Sequence, residues 1–85
     1  MPFEYKFSEE LEKILKKLKK RDLIIFERVQ DKIKEIILNP EHYKPLQNVL
    51  AGKRRVHVGS FVLMYKINDK VIIFLTLEHH DNAYN

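Results

Sequence analysis

The second half of this chain most narrows what it can fold into. It reads as three apolar strands separated by short turns and followed by a polar cluster. The strands are Arg54-Arg55-Val56-His57-Val58, then 61–67 (Phe-Val-Leu-Met-Tyr-Lys-Ile), then 71–77 (Val-Ile-Ile-Phe-Leu-Thr-Leu). β-Branched and aromatic residues dominate them, as suits a pleated surface packed on at least one side. Gly59-Ser60 supplies the first turn and Asn68-Asp69 the second, so the strands should form an antiparallel meander. With a two-residue second turn, Met64 faces Ile73 and Val62 faces Leu75 on one side. Leu63 with Phe74, and Tyr65 with Ile72, then lie on the other. Both faces of such a sheet are apolar.

The first half is helical after a short strand. Phe3, Tyr5 and Phe7 alternate with Glu4 and Lys6, a period-two pattern. Ser8 is a natural N-cap, with Glu9 and Glu10 at the positive end of the helix dipole behind it. Leu11, Ile14, Leu15 and Leu18 form one apolar stripe. Glu9 with Lys13, and Glu12 with Lys16, stand at i,i+4 in the favourable order. Asp22 caps a second helix, whose buried face is Phe26, Val29, Ile33, Ile36 and Ile37. Asn39-Pro40 ends it, because proline disfavours helical geometry in the residue before it. So short a break between helices predicts an antiparallel hairpin. The stretch 41–53 carries Pro45 and Gly52 and reads as a loop. The predicted class is therefore α+β: an N-terminal strand, a two-helix antiparallel hairpin, then a three-stranded antiparallel meander, with the helices on one sheet face. The other face needs a cover, and a partner protein is the simplest one.

Bulk properties set the remaining bounds. The 85 residues make a single domain spanning 1–85, without internal repeats or an interdomain linker. At 45% apolar and 33% charged the chain reads as a globule and not a disordered tail. It has no cysteine, which excludes disulfides, thiolate chemistry and cysteine-ligated zinc. No apolar run approaches the ~20 residues of a membrane span. The N-terminus lacks the basic flank and apolar block of a secretory signal, so a cytoplasmic location is expected. The formal charge of +4 is a moderate bias towards polyanions. The pair His79-His80 followed by Asp81 has no supporting ligand spacing, and no metal or cofactor is expected.

The element order resembles that of the RelE toxins of the RelE/ParE superfamily. So does the run from Leu46 through Gly52-Lys53-Arg54-Arg55-Val56-His57-Val58-Gly59 to Phe61 and Tyr65, which is similar to the family's glycine loop, Arg-x-Arg-Val-Gly segment and closing tyrosine. The end, Leu77-Glu78-His79-His80 through to Tyr84, is similar to the family's apolar strand, Gly-His-Arg step and tyrosine. The resemblance covers essentially the whole chain. It implies a toxin of a type II toxin–antitoxin pair that enters the ribosomal decoding site and cuts messenger RNA by attack of the ribose 2′-hydroxyl on the adjacent phosphate. It also implies a RelB-like antitoxin that wraps and blocks the toxin; DNA would be met only indirectly, through that antitoxin. Carried over by residue, Arg55 matches the first cationic position on the sheet, and His57 stands where a second Arg or Lys is usual. Val62 stands where many members have a phosphate-gripping Arg. His80 stands where another Arg is common, and Tyr84 matches a C-terminal tyrosine.

Metal-free RNA cleavage needs a group to take the 2′-hydroxyl proton, one to protonate the leaving 5′ oxygen, and a fixed cation at the phosphate. Histidine titrates near neutral pH and suits the proton work; the arginine fork suits the phosphate. The expected catalytic set is Arg55 on phosphate, His57 and His80 as base and acid in unassigned order, and Tyr84 stacking on a base or donating a hydrogen bond. Lys53 and Arg54 would hold flanking RNA backbone. Lys13, Lys17 and Lys20 belong to a basic stretch on the first helix that either is a solvated face or meets ribosomal RNA. Two other functions remain open: a ParE-like toxin that binds a topoisomerase without cutting RNA, and an inactive relic that binds its antitoxin and helps repress an operon.

Overall fold

The computed structural model describes residues 3–45 and 52–83. A first strand, β1 (Glu4–Phe7), leads through Ser8 into α1 (Glu9–Arg21). Ser8 caps the helix as its residue type predicts, accepting from the Leu11 amide at 3.0 Å. The same hydroxyl donates to the Leu75 carbonyl at 2.5 Å, so the cap also ties the helix to the sheet. Leu11, Leu15 and Leu18 are buried along α1, with Ile14 packed beside them. Asp22 caps α2 (Leu23–Leu38) by accepting from the Ile25 amide at 3.2 Å. Val29, Ile33 and Ile36 form the buried face of α2, and the helix ends at Leu38, with Asn39 between it and Pro40, as expected. The expected pairs Glu9–Lys13 and Glu12–Lys16 do not close to ion-pair distance. Exposed pairs gain little over hydration. On α2, Lys32 meets Glu35 at 3.1 Å, and that hydrogen bond raises the lysine's pKa. No helix among the described residues is long and apolar enough to cross a membrane.

The remaining elements are β2 (Lys53–Val58), β3 (Phe61–Asn68), β4 (Val71–His79) and the four-residue α3 (His80–Ala83). The sheet order is β1-β4-β3-β2. The meander is antiparallel, as read from the sequence. β1 joins β4 in parallel, with the helical hairpin lying in the connection between them. Both helices lie on one face, α1 against β4 and α2 against β2. That inner face presents Val56, Val58, Leu63, Tyr65, Ile72, Phe74 and Leu77 to the core.

Two details of the meander differ from expectation. The second turn is Asp69-Lys70, with Asn68 paired to Val71, and not Asn68-Asp69. Asp69 takes the left-handed conformation at φ 60°, which a short polar side chain tolerates better than most. This moves each partner by two residues but leaves inner and outer faces unchanged near the turn: Tyr65 lies opposite Phe74, not Ile72. Then β4 carries one extra residue. Tyr65 pairs with Phe74 but Met64 pairs with Thr76, which leaves Leu75 as a bulge. Past the bulge the alternation is reversed, so Leu77 faces the core along with Phe74. The first turn is as expected and is packed tightly. Gly59 sits at φ 59°, and a Cβ there would stand 3.2 Å from Ile25 Cδ1 and 3.4 Å from Arg28 Nη1.

Candidate active site

The outer face of the sheet carries three transverse rows of side chains, set by the strand pairing. His57, Val62 and Glu78 stand abreast on β2, β3 and β4. Arg55, Met64 and Thr76 form the next row. Lys53, Lys66 and Ile73 form the third, extended onto β1 by Lys6. Arg55 and His57 share this face because alternate residues of a strand point the same way.

His80 joins them from the chain end. Its amide donates to the Ser60 carbonyl at 2.7 Å, which seats the start of α3 over the β2–β3 turn. The His57 and His80 rings then lie 5.6 Å apart, tilted by 37°. Consecutive residues divide between the two faces: His79 packs edge-on against Phe61 at 5.6 Å instead. The Asp81 carboxylate stands between the neighbouring imidazoles, 3.8 Å from His79 Nδ1 and 3.9 Å from His80 Nδ1. His57 and His80 thus lie side by side, and Arg55 shares the face of His57 one row along. Tyr84 lies outside the described residues, as does the 46–51 stretch of the resemblance.

Arg54 is a different case. It points to the inner face, where Nη1 donates to the Tyr43 carbonyl at 2.6 Å and reaches the Pro40 carbonyl at 3.4 Å. Tyr65, fully buried at the centre of the sheet, donates its hydroxyl to the same Pro40 carbonyl at 2.6 Å. Burial pushes the Tyr65 phenol up to about 12, against a smaller opposing pull from the Arg54 charge. Arg54 therefore anchors the stretch after α2, and it is separated from Arg55 by the thickness of the sheet. Its expected contact with RNA backbone is corrected accordingly: neighbours on a strand cannot both face the same ligand. Lys13, Lys17 and Lys20 lie on α1 in the helix layer, where they line one hollow with Lys16. The fold does not place them beside Arg55 and His57.

Sequence reasoning missed Lys6 and Lys66 on the outer face, and it missed Glu78. Strict alternation from Ile72 and Phe74 would turn Glu78 inward; the bulge at Leu75 turns it out. The missed signal was the charge itself: a glutamate at an inward position would be an error in a core of this size.

The profile of the ParE toxin family of type II toxin–antitoxin systems matches residues 5–84. The chain belongs to the RelE/ParE superfamily of toxins. A Methanocaldococcus jannaschii protein assigned by name to the RelE toxins, RelE4, is 42% identical over 85 residues, covering 96% of this chain and 90% of the relative. Among solved structures, the RelBE2 toxin–antitoxin complex of Mycobacterium tuberculosis superimposes with a TM-score of 0.75 at 26% identity, over 93% of this chain and 99% of that one. A mutant of Escherichia coli toxin RelE in the free state gives a TM-score of 0.78 at 17% identity, over 99% of this chain and 90% of that one; at that identity it shows the fold alone. The strand–helix–helix–meander order of this toxin is the RelE-like α+β fold.

Proposed function

We propose that this toxin is a metal-independent endoribonuclease that cuts messenger RNA in the ribosomal decoding site. The observation that carries the reading is the gathering of Arg55, His57 and His80 on one sheet face, with the two imidazole rings 5.6 Å apart. A binding module has no need to set two titrating rings beside a guanidinium. In the reaction, Arg55 holds the scissile phosphate with its planar fork and offsets the charge that builds there. The imidazoles serve proton transfer, work for which a histidine side chain is suited. Lys53 and Lys66 hold the flanking backbone, and Tyr84 stacks on a base. A RelB-like antitoxin neutralises the toxin; the similar structures of M. tuberculosis RelBE2 and E. coli DinJ-YafQ are both toxin–antitoxin complexes.

Cleavage of ribosome-bound message tests this. Arg55→Ala and His80→Ala should each lower single-turnover cleavage by about 10²-fold. Wild-type rates in both variants would remove the assignment. One observation favours a second reading. Val62, fully buried, leaves the middle of the first row without a cation. An inactive relic that only binds its antitoxin would tolerate that, and so would a non-cutting toxin that binds a topoisomerase. Inducible expression separates the three: growth arrest with codon-level message cleavage fits the nuclease, arrest with DNA-damage signalling fits the topoisomerase inhibitor, and no arrest fits an inactive relic.

A further inference from the structure

We infer that the Gly59-Ser60 turn leads to a second RNA subsite, where Arg28 and Arg21 hold the backbone of the same message strand and the hollow beside Phe61 takes one unpaired base. The inference rests on the ribonuclease reading above. It starts from the close approach of α2 to this turn. A Cβ on Gly59 would stand 3.2 Å from Ile25 Cδ1, 3.4 Å from Arg28 Nη1 and 3.9 Å from Arg28 Cζ. Ile25 packs against the core and holds the helix there. Arg28, three residues on, shares that face of α2, so its guanidinium lies against the turn while the side chain stays exposed. The same turn seats α3, through the His80 amide and the Ser60 carbonyl at 2.7 Å. With standard bond lengths, Arg28 Nη1 is then at most about 14 Å from the His80 amide. A few nucleotides of single strand cross that distance.

The helix side of the turn is basic and apolar together. An open hollow of about 180 Å³ is lined by Ile14, Lys17, Leu18 and Arg21 of α1 and by Phe61. Phe61 follows the turn directly and pairs with Val58 across it. No carboxylate lines this hollow; Glu9 and Glu12 line a different one, at the start of α1. The first turn of α2 carries no acid, and the Asp22 carboxylate before it is engaged by the Ile25 amide. Lys17, Arg21 and Arg28 make no ion pair among the described residues.

These groups suit a single-stranded nucleotide. Guanidinium forks bind phosphate oxygens in pairs. An apolar wall with an aromatic ring accepts the face of a base without reading its edge, so the subsite tolerates any sequence. Continuity decides between RNA and an acidic protein segment. The turn that carries Arg28 also seats His80, so a strand leaving the cleavage face at this end passes Arg28.

The test titrates the full chain with a fluorescent single-stranded RNA of about ten nucleotides, 2′-O-methylated throughout so that it cannot be cut, at several salt concentrations. Arg21→Ala with Arg28→Ala should bind it about tenfold more weakly, with the slope of log affinity against log salt lower by about 1.4. Phe61→Leu keeps an apolar side chain but no ring, and should weaken binding about fivefold at unchanged slope. Lys44→Ala with Lys70→Ala removes the same charge beside Tyr43 and at the β3–β4 turn, away from the subsite, and should leave both values near wild type. Unchanged affinity and slope in the arginine variant overturn the subsite and leave these cations to the antitoxin or another protein. An equal fall in the lysine variant reduces the effect to net charge and overturns it too. Unchanged affinity in Phe61→Leu overturns the base in the hollow. Weaker ribosome binding by the arginine variant, with the oligonucleotide unaffected, moves the contact to ribosomal RNA and overturns the message assignment. A wild-type protein that binds the probe as expected but cuts no ribosome-bound message overturns the nuclease reading and leaves the RNA subsite standing.

Discussion

Replacing Tyr65 by phenylalanine should both weaken and strengthen this protein, depending on pH. The ring is fully buried, so phenylalanine fills the same space and only the hydroxyl is lost. That hydroxyl donates to the Pro40 carbonyl at 2.6 Å. The carbonyl keeps a long contact from Arg54 at 3.4 Å, so it is not orphaned, and the loss at neutral pH should be about 1 kcal/mol. Ionisation works the other way. Burial raises the phenol from 10.0 to about 12 in the folded state. Below pH 10 both folded and unfolded chains hold the proton and nothing changes. Between pH 10 and 12 the unfolded chain releases it while the folded chain keeps it, so stability falls as pH rises. Each unit is worth about 1.4 kcal/mol, giving a loss of about 1.4 kcal/mol at pH 11 and approaching 2.7 kcal/mol above pH 12. The variant has no such loss. Urea unfolding of both proteins from pH 7 to 12 should show wild type ahead by about 1 kcal/mol at pH 7, the curves crossing near pH 11, and the variant ahead by 1 kcal/mol or more at pH 12. Titration of lysines and other tyrosines is common to both proteins and cancels in the difference. A gap that stays constant across this range would refute the buried, hydrogen-bonded phenol.

Two further outcomes follow from the same structure. Ser8→Ala removes both the cap of α1 and the donor to the Leu75 carbonyl, and should cost about 1–2 kcal/mol in urea or thermal unfolding; a change under about 0.3 kcal/mol would refute the double role. Replacing Lys13, Lys17 and Lys20 together by alanine should lower the slope of log affinity for ribosomes against log salt by about 2 if these side chains meet RNA phosphates, and leave it unchanged if they are merely solvated.

The helices were legible because their signals are local. Ser8 and Asp22 each accept from an amide three residues on, and the apolar stripes repeat within a few turns. The inward and outward faces of the strands near the Asp69-Lys70 turn were legible too, because moving the turn by one residue shifts the partners by two and preserves parity. What the chain did not disclose was the change of parity within β4. The bulge at Leu75 is held by a hydroxyl 67 positions earlier, and no window along the chain contains both partners. The adjacent arginines pose the same problem in a smaller form. Alternation separates Arg54 from Arg55, but only the carbonyls of Pro40 and Tyr43 decide which of them turns inward. These non-local choices bear directly on chemistry. One extra residue in β4 sends Leu77 to the core and Glu78 to the row of His57. Without it, the outer face would hold imidazoles and a guanidinium but no carboxylate across from them. The cap of α1 thus helps to determine which charged groups the opposite face of the sheet presents, and a substitution at Ser8 that slips the bulge should alter message cleavage as well as stability.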